Sequence, residues 1–212
     1  MKAIDILSEY EMELTDRKKL VRSNSYLWAN TVDRTTWSLN KSMERFDPIN
    51  NTRLGNSTVG IIHALNQMIN TGYIENNFTV LDIFCGTGAM LFYIKKNFPS
   101  CKIIGADLLN HNSWKEIMTE YNDSKFFSLD YFKLEKDQRP LGLDLIITFN
   151  TFRGWANSVG PEITHSYTKT EFSNWVKSNS KYFITDRGPV ESYFKMLPFE
   201  KAFDNLKVAF SK

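Results

Sequence analysis

The chain has 212 residues, enough for one compact domain with a small appendage. Hydrophobic residues make up 42% and charged residues 24%, which excludes wholesale disorder. With 26 Lys and Arg against 24 Asp and Glu, the net charge of +2 gives no ground for a dedicated nucleic-acid surface.

Two cysteines, Cys85 and Cys101, rule out a disulfide-stapled secreted domain and a cysteine-rich zinc site, so no metal is expected. Acids interrupt the N-terminus every few residues, so it has no signal-peptide apolar region. The most apolar stretches, such as residues 143–149, are too short to span a bilayer. A soluble cytoplasmic protein with no membrane partner is the expectation. The aromatic share of 14% suits a dense core or an aromatic-lined pocket.

In chain order, Ile4, Leu7, Leu14 and Val21 form a helical stripe that predicts an amphipathic packing helix over about residues 3–22. Residues 23–56 are polar but carry Tyr26, Trp28, Trp37 and Phe46, the composition of an irregular cap folded onto a larger domain. The division is therefore a helix and aromatic-rich cap over 1–55 and a main domain over 56–212. Asn56-Ser57 reads as a helix start, and Gly72 as the left-handed residue that ends that helix. Strand and helix then alternate. Strands are predicted at 78–84, 102–106, 125–129, 144–149 and 181–185. Helices are predicted at 89–98, 113–121 and 170–178, with a short one at 190–196. The tail over 199–210 has an Asp204-Asn205 turn that would make a terminal hairpin. The pattern is α/β, a Rossmann-like, mostly parallel sheet.

In such sheets ligands bind beyond the carboxyl ends of the strands. After the first strand comes VLDIFCGTGAM, residues 80–90, where Gly86 and Gly88 permit a sharp turn and close approach to the backbone. After the second comes Asp107, 19 residues beyond Gly88, placed to accept from both hydroxyls of a ribose. A dinucleotide loop requires a third glycine, and Leu91 stands at that position. Asp82, four residues before Gly86, would repel a pyrophosphate but not a ligand with an ammonium group. S-adenosylmethionine, which carries no phosphate, fits these constraints.

The run VLDIFCGTG followed by an Asp at the end of the next strand resembles the class I S-adenosylmethionine-dependent methyltransferases over about residues 55–212. The resemblance implies a doubly wound, seven-stranded sheet closed by a C-terminal antiparallel hairpin. It also implies that the loop of Asp82, Phe84, Cys85, Gly86 and Gly88 cradles the methionine part of the cofactor. Asp107, with Leu108 beside it, would hold the ribose. Asp130 and Tyr131 would flank the adenine, with Asp130 accepting from its amine. Asn150 and Thr151 would face the transferring methyl. The run Asn150-Thr151-Phe152-Arg153 lacks the two prolines of many enzymes that methylate base amines. Phe84 replaces a commoner glycine, a variant also found among RNA and DNA methyltransferases.

An acceptor hydroxyl needs a general base within about 3 Å. His165, in the long segment 153–167 past the fourth strand, is the candidate; His63 reads as structural and His111 as a border of the adenine pocket. Trp28, Trp37, Trp155, Glu162 and Tyr167 are candidate pocket walls. Three functions compete. The first is methyl transfer to oxygen or nitrogen of a small molecule or sugar. The second is methyl transfer to RNA, DNA or protein, which needs an open basic face. The third is a nicotinamide-dependent oxidoreductase or a catalytically silent nucleoside-binding module. The sequence leaves oligomeric state open.

Overall fold

The computed structural model describes residues 3–8, 33–47, 52–107, 109–129, 134, 137, 139–148, 169–185, 194–198 and 209–211. Five parallel strands form its centre: β1 (Thr79–Asp82), β2 (Lys102–Asp107), β3 (Lys125–Ser128), β4 (Leu143–Thr148) and β5 (Ser180–Thr185). Two short strands, β6 (Lys195–Met196) and β7 (Ala209–Ser211), extend it, with β7 antiparallel to both β5 and β6. The spatial order is β3-β2-β1-β4-β5-β7-β6. The chain thus winds outward from β1 through β2 to β3, then returns to β4 on the other side of β1. That reversal opens a crevice at the carboxyl ends of β1 and β4.

Successive strand residues point to opposite faces, and here both faces are apolar. Val80, Ile103, Leu145, Ile147 and Ile184 feed one core. Leu81, Ile104, Ile146 and Phe183 feed the other. The first core is covered by α3 (Thr52–Asn70), α4 (Ala89–Asn97) and α5 (Asn112–Glu120), through Ile61, Leu65, Met68, Leu91, Ile94, Trp114 and Ile117. The second is covered by α1 (Ala3–Ser8) and α6 (Lys169–Asn179), through Ile6, Leu7, Phe172, Trp175 and Val176. Each buried aliphatic side chain contributes about 1.5–3 kcal/mol, so two-sided burial fixes the strands.

The 3₁₀ turn Asp33–Thr36 and α2 (Leu39–Glu44) dock on α5. The Ser38 hydroxyl caps α2 by accepting from the Lys41 N–H at 3.3 Å, and the Leu39 N–H donates to Glu116 Oε1 on α5 at 3.0 Å. The buried Lys95 ammonium on α4 donates to the carbonyls of Pro99 and Cys101 and to Asp123, tying the end of α4 to the start of β2.

Two expectations need correction. Helix α3 begins at Thr52, not at Asn56-Ser57. Asn and Ser favour caps locally, but Gly55, Ser57 and Thr58 are buried, and packing of that turn overrides the local preference. The short helix expected over 190–196 is not formed at Lys195–Met196, which pair as a strand with Ser211 and Phe210. A partner strand 14 or more residues away leaves no local signature. Gly72 does end α3, at φ 75°, with its N–H on Ile69 O and the Tyr73 N–H on Met68 O. The stripe expected over 3–22 is described as helix only at Ala3–Ser8. The Asp204-Asn205 turn lies outside the described residues. Among the described residues no helix is long and apolar enough to cross a membrane.

Candidate nucleoside-binding site

The crevice is bordered by the loop leaving β1. Asp82, 1% exposed, ends the strand, and its Oδ1 accepts from the Phe84 N–H at 3.1 Å, starting the turn. The Cys85 N–H returns to Ala106 O on β2 at 3.0 Å, and the Gly88 N–H closes the turn on Cys85 O at 2.8 Å. Gly86 and Gly88 sit at φ 51° and 76°, a region that favours glycine. At Gly88 a Cβ would also come within 2.8 Å of the Phe126 ring. Helix α4 starts at Ala89 without a side-chain cap, so its first amides are not used internally.

Asp107, at the end of β2, faces this loop. Its Oδ2 accepts from the Gly86 N–H at 2.9 Å and its Oδ1 from the Leu109 N–H at 3.3 Å. Each oxygen keeps capacity for a further donor. Helix α5 holds the loop from the other side. Trp114 Nε1 donates to Gly86 O at 2.8 Å, and Ser113 Oγ donates to Thr87 O at 2.7 Å. The Trp114 ring stacks on Phe126 with centroids 5.3 Å apart.

The side chains of Phe84 and Cys85 turn to opposite cores. Phe84 packs beside Phe172, and Cys85 is buried in the cluster of α3, α4 and α5. Burial first, then the Asp107 and Asp82 carboxylates, raise the Cys85 thiol well above its ordinary range, so it is no nucleophile. His111 is buried at the N-cap of α5, its Nδ1 3.4 Å from Arg34 O on the cap segment. With Nδ1 donating there, Nε2 is an acceptor, and it is buried without a partner. Burial lowers the His111 pKa, and Asp107 partly offsets that. The Thr148 hydroxyl, at the carboxyl end of β4, is also buried without a partner.

The structure thus brings together Asp82, Phe84, Cys85, Gly86, Gly88 and Asp107. Leu108, Asp130, Tyr131, Asn150 and His165 lie outside the described residues, as do Trp28, Trp155, Glu162 and Tyr167. Trp37 is held by the Lys41 ammonium, 4.7 Å from its ring centroid. His63 is half-buried on α3. Sequence reasoning passed over Ser113, Trp114 and Gly105. Gly105 carried a signal, a glycine inside a strand, which marks close approach; a Cβ there would overlap the Phe126 ring and lie 2.9 Å from Cys85 Sγ. Ser113 and Trp114 carried none, because their partners are 26 and 28 residues away. Among the described residues no cluster of His, Cys, Asp or Glu could hold a metal ion.

Solved structures share this fold. The protein WbdD in complex with a kinase inhibitor superposes with a TM-score of 0.54 at 12% identity, over 85% of this chain and 46% of its own. A structure of WbdD described as a bifunctional kinase-methyltransferase gives 0.50 at 13%, over 85% and 44%. The fold is that of the class I S-adenosylmethionine-dependent methyltransferases. The chain spans less than half the length of the WbdD chains it matches. A methyltransferase from Aquifex aeolicus aligns more loosely, with a TM-score of 0.43 at 17% identity over 79% of this chain and 78% of its own. No family model matches the sequence, and no curated protein matches it.

Proposed function

We propose that the chain is an S-adenosylmethionine-dependent methyltransferase that transfers a methyl group to an oxygen or nitrogen of a small molecule or sugar. The observation that carries this reading is the meeting of Asp107 with the loop of Gly86 and Gly88 at the crevice where the sheet reverses.

The donor set suits this cofactor. Asp107 can accept from ribose hydroxyls while keeping its two backbone bonds. Asp82 places a buried acid under the loop, which favours an ammonium and disfavours a pyrophosphate. Leu91, where a dinucleotide loop has its third glycine, is fully buried in the core. The unpartnered Thr148 hydroxyl adds a polar group at the same end of the sheet. Asp130, Tyr131 and Leu108 are proposed as the adenine and ribose border, and an antiparallel hairpin as the closure of the sheet, as in the resembling family.

When bound, the cofactor supplies an electrophilic methyl on a sulfonium, which leaves as a neutral thioether. The chain's own contribution is placement. The glycine loop and Asp107 fix the donor. Asn150 is proposed to orient the acceptor and His165 to take its proton. The cap, docked on α5 through Arg34 and Leu39, stands beside the nucleoside end and supports a discrete pocket over an open face.

A second reading is methyl transfer to RNA, DNA or protein. Both are tested by incubating the chain with methyl-labelled donor and separate pools of small metabolites, sugars, RNA, DNA and protein. Label in the small-molecule or sugar pools supports the first reading. Label in a macromolecular pool, falling steeply with salt for nucleic acid, replaces it with the second.

A further inference from the structure

We infer that Trp114, with Ser113 beside it, is a positioning residue that aims the amide of the glycine loop at the amino-acid part of the ligand. This rests on the proposed cofactor reading and deepens it. A peptide unit is planar and trans, so its C=O and the next N–H point in opposite directions. Trp114 Nε1 holds the Gly86 carbonyl at 2.8 Å, on the α5 side of the loop. The Thr87 N–H, on the same peptide unit, is thereby turned away from α5. Its neighbours are engaged: Gly86 N–H on Asp107, Gly88 N–H on Cys85 O. The Thr87 N–H has no acceptor among the described residues. Ser113 fixes the next carbonyl, Thr87 O, in the same sense.

The indole cannot drift from this task. It is 4% exposed, stacked on Phe126, and 5.5 Å from the His111 ring. His111 and Glu116, on the same helix, are in turn joined to Arg34 O and the Leu39 N–H of the cap. The cap therefore braces the helix whose first turn sets the loop. An amide donor with no acceptor in the fold is free to meet a ligand oxygen.

The test compares two ligands in calorimetry: S-adenosylhomocysteine, which carries the amino-acid part, and adenosine, which lacks it. Trp114→Phe keeps the stacking on Phe126 and removes the N–H. It should weaken S-adenosylhomocysteine about fivefold, what one neutral hydrogen bond supplies, and leave adenosine within about twofold. Ser113→Ala, a milder change, should give the same split and serves if Trp114→Phe does not fold. Equal weakening of both ligands would mean a purely structural role and overturn the inference. So would unchanged affinity for both. A wild-type chain that binds adenosine but not S-adenosylhomocysteine overturns the cofactor reading itself, and this inference with it.

Discussion

The carboxylate of Asp107 accepts from the Gly86 N–H at 2.9 Å, across 21 residues of sequence. In the proposed reading the acid that shapes the loop also holds the ribose. Asp107→Ala removes both roles and should weaken S-adenosylhomocysteine by about 10- to 100-fold. Calorimetry on the folded variant checks this, and an unchanged Kd would remove Asp107 from the site.

Phe126 lies against two glycines. Gly88→Ala sets a Cβ at φ 76° and 2.8 Å from its ring, and Gly105→Ala drives one into it. Left-handed strain costs about 1–2 kcal/mol and overpacking about 1–3 kcal/mol. Urea denaturation should show both variants destabilised. Adding Phe126→Leu should recover part of the loss in Gly105→Ala and less in Gly88→Ala, where the backbone strain persists. Equal recovery would mean that sterics alone act at both positions.

His111 is held below the ordinary imidazole value of about 6.5 by burial, with the Arg34 charge adding to this and Asp107 opposing it. The unfolded chain therefore takes up a proton that the native chain resists. Stability from this group is intact above about pH 6.5 and is lost as pH falls from there toward the native pKa. Between pH 7.5 and 5.5 the wild-type urea midpoint should drop more than that of His111→Gln. Parallel drops would show that His111 does not titrate this way.

Cys85 and Cys101 are both buried free thiols. Desolvation raises both, Cys101 to about 12, so neither offers thiolate at neutral pH. Iodoacetamide at pH 8 should leave the native chain unlabelled and modify both cysteines in urea. Labelling of native Cys85 would mean that the loop opens.

Sequence patterning located every parallel strand to within a few residues, because two-sided burial writes near-continuous apolar runs such as Leu145-Ile146-Ile147. The loop was legible because Gly86 and Gly88 need backbone angles that other residues resist. What escaped was set by distant partners. Lys195–Met196 became a strand through Phe210 and Ser211, and α3 gained a first turn through burial of Gly55 and Ser57. Trp114 reads as a core aromatic, and only the folded chain shows its N–H on Gly86. For Phe84 and Cys85 the motif located the backbone, while side-chain direction followed from which face of the sheet each residue meets.

Binding of the demethylated cofactor against a dinucleotide tests the central claim most directly. Titrated in a calorimeter, S-adenosylhomocysteine should bind at one site and NAD should give no heat, because the Asp82–Gly88 loop offers a buried acid and no third glycine to a pyrophosphate. NAD binding with S-adenosylhomocysteine inert would contradict the account.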